Sequence, residues 1–114
     1  MTTFLEINKS LKLKEALIYF GQGVNTLIIK KNKKVLGVFT YGDFIRLITK
    51  KHKLEENINK NINKKFIYVK EGYTFSDIEK IFNQNHFLFD LVVLKKNNEF
   101  KEVLNRKKFI NQYK

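Results

Sequence analysis

Cysteine is absent from the 114 residues, which excludes disulfides, thiolate metal sites and a cysteine nucleophile. No apolar run approaches the length of a membrane span, and the opening MTTFLEINKS has neither the basic nor the apolar region of a signal peptide. A cytoplasmic location is therefore the default expectation. Proline is also absent, and arginine is limited to Arg46 and Arg106, whereas lysine, asparagine, isoleucine, phenylalanine and tyrosine are plentiful. That bias matches an A- and T-rich coding sequence. It bears on the net charge of +12, because a basic chain invites a nucleic-acid reading. Base and phosphate recognition favours the arginine fork, so lysines spread by such a bias read as a solvated surface. Their positive field suits small anions such as nucleotides. A basic nucleic-acid-binding module is the alternative that the charge itself offers.

The usual signatures of catalysis are missing as well. No Ser-His-Asp set, P-loop or dinucleotide fingerprint occurs. Asp77, Glu79 and Asp90 form no carboxylate pair for acid–base work. His52 and His86 stand alone, without a second imidazole or a carboxylate at metal-ligand spacing. The GQG at Gly21–Gly23 follows a helical pattern instead of opening one, so it reads as a helix stop. The chain reads as non-catalytic, without a metal site or a catalytic cofactor.

What is present is enough apolar material for a core. The chain is 43% hydrophobic and 14% aromatic, with 11 phenylalanines, suited to one small domain or two very small units sharing a core. An internal repeat favours the second form. Shifted by 65 positions, TLIIKKNKKVLGVFTYGDFI (Thr26 to Ile45) lies over LVVLKKNNEFKEVLNRKKFI (Leu91 to Ile110) without a gap. Lys30/Lys95, Lys31/Lys96, Asn32/Asn97, Val38/Val103, Phe44/Phe109 and Ile45/Ile110 are identical pairs.

In the first copy, Phe4 to Ile7 reads as a strand, and Ser10 as the N-cap of a helix carrying Leu13, Ala16, Leu17 and Phe20. Val24 to Ile29 and Val35 to Phe39 flank the polar KKNKK as a hairpin. Tyr41 to about Lys50 follows as a helix with Phe44, Ile45, Leu47 and Ile48 inward. The second copy repeats the order: a strand at Phe66 to Val69, a helix from near Ser76 to Asn83, strands at Leu91 to Leu94 and Phe100 to Leu104, and helix from Phe109 onward. The segments divide as 1–52, a polar connector 53–65 and 66–114, with Leu54, Ile58 and Ile62 able to hold helical turns of the connector region against the body. The expected fold class is α+β: two β-α-β-β-α units, each too small to bury its sheet alone, packed on each other with pseudo-two-fold symmetry.

One strand-to-helix corner stands out. In VLGVFTYGDFIRLI, Gly37, Thr40, Gly42 and Asp43 interrupt the apolar residues. Thr40-x-x-Asp43 has capping-box spacing, with aspartate in the role usually held by glutamate. That structural reading needs no ligand and is compatible with one. The second copy has Glu102, Asn105 and Lys108 where the first has Gly37, Thr40 and Asp43.

The duplicated unit, with Gly-x-x-Thr-x-x-Asp at the end of its hairpin, resembles a tandem pair of CBS domains (a Bateman module) over roughly Thr2 to Tyr113. In a finer likeness, TYGDFIR followed by NINKKFIYV is similar to the pattern of CBS pairs fused in front of sugar-phosphate nucleotidyltransferases. The chain ends where such a catalytic domain would begin, so it is expected to be the regulatory part of a longer enzyme. The resemblance implies an adenosine-containing ligand: AMP, ADP, ATP or S-adenosylmethionine. It assigns Asp43 to the ribose hydroxyls and Thr40, with backbone N–H groups near Gly42, to phosphate. The connector at Ile62, Asn63 and Lys64 and the opposite hairpin entrance at Phe87, Leu88 and Phe89 would receive the adenine. Phe87 to Phe89 also suit a core. The chemistry is consistent, since a carboxylate accepts two hydrogen bonds from a diol and a helix start aims N–H groups at an anion. Lys108 has only donors, so one functional site per chain is expected. The resemblance also implies a homodimer formed through the helical faces. A ligand-free dimerisation scaffold is the further alternative.

Overall fold

A computed structural model describes residues 3–113. They form two compact units divided between Phe66 and Ile67. The first contains β1 (Phe4–Ile7), α1 (Leu13–Gly21), β2 (Thr26–Lys31), β3 (Lys34–Thr40) and α2 (Tyr41–Thr49). The second contains β4 (Tyr68–Lys70), α3 (Phe75–Gln84), β5 (Asp90–Leu94), β6 (Phe100–Asn105) and α4 (Arg106–Tyr113). Each sheet places its middle strand between a parallel and an antiparallel neighbour, in the orders β1-β2-β3 and β4-β5-β6. The expected β-α-β-β-α order is thus present twice.

The middle strands explain why the repeat is visible. Leu27, Ile28 and Ile29 of β2 are buried on alternate faces, as are Leu91, Val92 and Val93 of β5. Strands buried on both faces read as continuous apolar runs. In the first unit α1 contributes Leu13, Ala16 and Phe20 to the core, and α2 contributes Phe44 and Leu47. The Phe20 ring lies 6.2 Å from that of Phe39 and 5.9 Å from that of Phe44. In the second unit Ile78 and Phe82 of α3 pack with Leu91, Leu104 and Phe109.

The ungapped offset of 65 holds for only part of the repeat. Thr40 pairs with Thr26, and Asn105 pairs with Asp90. The second hairpin strands are therefore 65 apart (40 to 105), but the middle strands are 64 apart (26 to 90). Between Lys30↔Val35 and Leu94↔Phe100 the second hairpin turn is one residue longer. The N-caps Lys12 and Thr74 are 62 apart (12 to 74), so two further residues have entered between the helix start and the middle strand, one in α3, which has 10 residues against 9 in α1, and one in the loop that follows. A one-residue slip would normally exchange the faces of a strand. Here both faces are apolar, so alternation gives no signal and the identities at Lys30/Lys95 set a false register.

Other boundaries differ for local reasons. The N-cap of α1 is Lys12, not Ser10; its backbone N–H donates to Glu15 Oε1 at 3.1 Å, but a lysine side chain has no acceptor with which to complete a capping box. α4 begins at Arg106, three residues before the expected Phe109, and β4 begins at Tyr68 instead of Phe66. Ile45 and Ile48 are exposed, not inward, and Leu17 of α1 is exposed as well.

Candidate functional site

The Thr40 corner is capped by its own residues. Thr40 is extended and N-caps α2. The Asp43 N–H donates to Thr40 Oγ1 at 3.1 Å, while the Thr40 N–H donates to Asp43 Oδ2 at 2.9 Å. Arg46 Nη1 donates to the other carboxylate oxygen at 3.1 Å. The Asp43 side chain is 17% exposed and that of Arg46 63%, so the arginine can leave while the cap stays. A carboxylate offers about four lone-pair sites, which leaves acceptor capacity beyond the cap. A Cβ on Gly42 would come no nearer than 3.7 Å to Thr40 Oγ1, so packing does not demand glycine there.

Gly37 is the reverse case. A Cβ at this position would lie 2.7 Å from the carbonyl oxygen of Asn63. The connector approaches β3 here: the Val38 N–H donates to the Asn63 carbonyl at 3.0 Å, and the Asn63 N–H to the Val38 carbonyl at 2.8 Å. Only a residue without a side chain admits this seam. Further upstream the Leu13 N–H donates to Glu56 O at 2.9 Å and the Ile58 N–H to Leu11 O at 2.8 Å. Ile58 is fully buried in the first core, Ile62 packs against it, and Leu54 is exposed. A short 3-10 turn at Ile58–Asn61 joins the two contacts.

Of the nine sequence-predicted residues, the first unit holds Thr40, Gly42 and Asp43 at one corner, and Ile62 and Asn63 against Gly37 and Val38 just before it. The antiparallel bridge carries Lys64 away from the corner, along β3, and both Asn63 and Lys64 are exposed. Phe87, Leu88 and Phe89 belong to the second unit. Leu88 packs against that unit's core, whereas Phe87 is 94% and Phe89 55% exposed.

The second corner is capped by different chemistry. Asn105 Oδ1 accepts from the N–H groups of Lys107 at 3.1 Å and Lys108 at 3.3 Å, as an asparagine cap does. Asn105 Nδ2 donates to Asp90 Oδ1 at 2.9 Å. Asp90 is buried at the position matching Thr26. Both corners therefore satisfy their helix starts; what distinguishes the first is a carboxylate in the helix and a docked connector.

Sequence reasoning overlooked Arg106. The Arg106 guanidinium donates from Nε to Leu88 O at 2.8 Å and from Nη2 to Phe82 O at 2.9 Å and Asn85 O at 2.5 Å. An arginine in a lysine-rich helix start carries no periodic signal that would have marked it. A cavity of about 230 Å³ on the second unit is lined by Phe75, Phe82, Arg106 and Phe109 among others, and by none of the nine candidates. Among the described residues no group of three His, Cys, Asp or Glu could hold a metal ion, and no helix is long and apolar enough to cross a membrane.

Comparison with known proteins places the first unit. Residues 1–50 match the CBS domain family model. No curated protein sequence matches the chain. Solved structures extend the likeness to both units. A CBS domain crystal structure is similar with a TM-score of 0.80 at 17% identity, covering 96% of this chain and 87% of that one. A CBS domain protein from Pyrobaculum aerophilum, solved with AMP, has a TM-score of 0.76 at 17% identity, covering 90% of this chain and 80% of the other. The cytosolic domain of the Mg²⁺ channel MgtE, solved with ATP, has a TM-score of 0.76 at 11% identity and covers 96% of this chain. The chain spans 45% of that domain and 44% of the similar soluble part of a magnesium transporter. The CBS domain pair fold therefore accounts for both β-α-β-β-α units.

Proposed function

We propose that the chain is a regulatory module that senses an adenosine-containing nucleotide at the Thr40–Asp43 corner. One observation carries the reading: the Gly37 seam holds Ile62 and Asn63 of the connector beside a corner whose carboxylate is still able to accept hydrogen bonds. Similar structures solved with AMP and with ATP support an adenine nucleotide as the ligand. Asp43 would accept the ribose hydroxyls once Arg46 swings away, and the start of α2 would face the phosphate. Lys64 would offer charge from solvent, and Phe87, Leu88 and Phe89 apolar surface for the base. The ligand acts by favouring one arrangement of the two units, and the shift cannot exceed its difference in affinity between arrangements. A host catalytic domain, such as a sugar-phosphate nucleotidyltransferase, would read that shift.

A thermal-shift series with AMP, ADP, ATP, S-adenosylmethionine and guanine nucleotides tests the reading. A ligand at a hundred times its dissociation constant adds about 2.7 kcal/mol of stability; no rise with any adenosine compound refutes it. Asp43→Asn keeps an oxygen for the Thr40 N–H but removes the charge offered to the diol. It should weaken binding about tenfold, which corresponds to about 1.4 kcal/mol, while Lys108→Ala leaves binding nearly unchanged. Equal losses from both would assign the ligand to the wrong corner.

The exposed Leu17, Ile18, Tyr41 and Ile45 of α1 and α2 favour a second reading, a homodimerisation scaffold that needs no ligand. A dimer by sedimentation, with an unchanged melting temperature across the nucleotide panel, would establish it.

A further inference from the structure

The α3–β5 loop is one residue longer than its counterpart in the first unit, and its backbone is satisfied differently. In the first unit the end of α1 is closed by the loop's own amides. The Gln22 and Val24 N–H groups donate to Tyr19 O, and the Gly23 N–H to Phe20 O. In the second unit the Asn85 N–H donates to Phe82 O at 3.4 Å and the Leu88 N–H to Asn85 O at 3.0 Å, while Asn85 Nδ2 reaches Ile81 O at 2.8 Å. The remaining closure comes from Arg106. Its guanidinium serves the carbonyls of Phe82, Asn85 and Leu88, sits 4.8 Å from the Phe82 ring centre, and its backbone N–H donates to Phe89 O at 2.7 Å. The matching residue of the first unit, Tyr41, makes the same backbone bond to Asn25 O at 3.1 Å and lays its ring 5.6 Å from Phe20, but it has no fork to hold a loop.

We propose that Arg106 is the positioning residue of the Phe87–Phe89 loop, holding it so that the exposed Phe87 ring is presented in a fixed orientation to stack on a planar base. The inference rests on the nucleotide reading above. A fork with several donors in one plane can join three carbonyls, whereas an ammonium is a point charge. A ring fixed before binding loses less freedom when it meets a ligand than a mobile one.

The chain has no tryptophan, so Phe87→Trp places a single reporter at the tip of the loop in the full-length protein. Three forms would be compared by fluorescence anisotropy decay and by titration with AMP: Phe87→Trp alone, with Arg106→Gln, and with Arg106→Lys. A core control, Phe87→Trp with Val93→Ala, lowers stability at a buried position outside the cluster that Leu88 packs against. Arg106→Gln should raise the amplitude of fast reporter motion in the absence of AMP and weaken AMP binding about tenfold. Arg106→Lys should recover only part of either change, and the core control should show neither. A reporter that stays equally ordered in Arg106→Gln, or a loss of affinity matched by the core control, overturns the clamp while leaving the nucleotide reading intact. A parent protein that binds no adenine nucleotide overturns both.

Discussion

The two units share one frame and differ at three corners. Each has a buried middle strand, a covering helix that carries Phe20 or Phe82, and a hairpin leading into a second helix. At the helix start, the first unit uses a Thr40–Asp43 capping box, where the second uses Asn105. Along the outer strand, the first unit has a glycine and a docked connector, and the second has an exposed glutamate, Glu102. Before the middle strand, a loop closed by its own amides is replaced by one a residue longer, to whose amides an arginine is added. The frame is set by apolar burial that many residues can supply. The corners depend on single hydrogen-bonding residues, and there the copies have diverged.

The comparison can be broken most severely at the connector. Ile58 is fully buried with the first core, so Ile58→Ala should cost about 2–5 kcal/mol in urea unfolding. A loss below about 0.5 kcal/mol would mean that the connector contributes nothing to the first unit. Next comes the seam. Gly37→Ala forces the Asn63 backbone away and should cost about 1–3 kcal/mol, whereas Glu102→Ala at the matching exposed position should stay within about 0.5 kcal/mol. Equal costs would erase the proposed difference between the two outer strands. Smaller still are the caps: Thr40→Ala and Thr74→Ala should each cost about 1 kcal/mol, read as a shift in the urea midpoint. The least effect is expected from acid. Hydrogen bonds from the Thr74 backbone and side chain hold the Asp77 carboxyl below the ordinary carboxylate range. Its folded pKa lies beneath its unfolded one, so its stabilisation is present above the unfolded value and is lost as pH falls through the folded value. Asp77→Asn should flatten the stability profile below about pH 4, and an unchanged slope there would assign the acid sensitivity elsewhere.

The sequence displayed the frame better than the corners. Two copies of β-α-β-β-α were readable because continuous apolar runs and helical stripes survive divergence. The same runs concealed the slipped register, since Leu91, Val92 and Val93 are buried whichever way they face. The Thr40–Asp43 box was legible because both partners lie within one turn. Gly37 stood in the motif, but its cause, the Asn63 carbonyl, lies across the fold. Arg106 was unreadable for a similar reason: its three acceptors are main-chain carbonyls, which every residue possesses. Phe87 to Phe89 look like core in one dimension, but the loop turns only Leu88 toward the core and leaves the two rings exposed.

The Gly37 seam also has a consequence for the order in which the chain is made. Two kindred hairpins in one polypeptide invite wrong partnerships between their outer strands, a common failure of repeated sequences. The outer strand of the first hairpin meets its partner, Asn63, twenty-five residues downstream of Val38. The second hairpin starts only at Asp90. A ribosome therefore delivers the connector residue that bridges the first edge before it delivers the second hairpin. The narrow gap admitted by one glycine thus involves only residues made before the second hairpin.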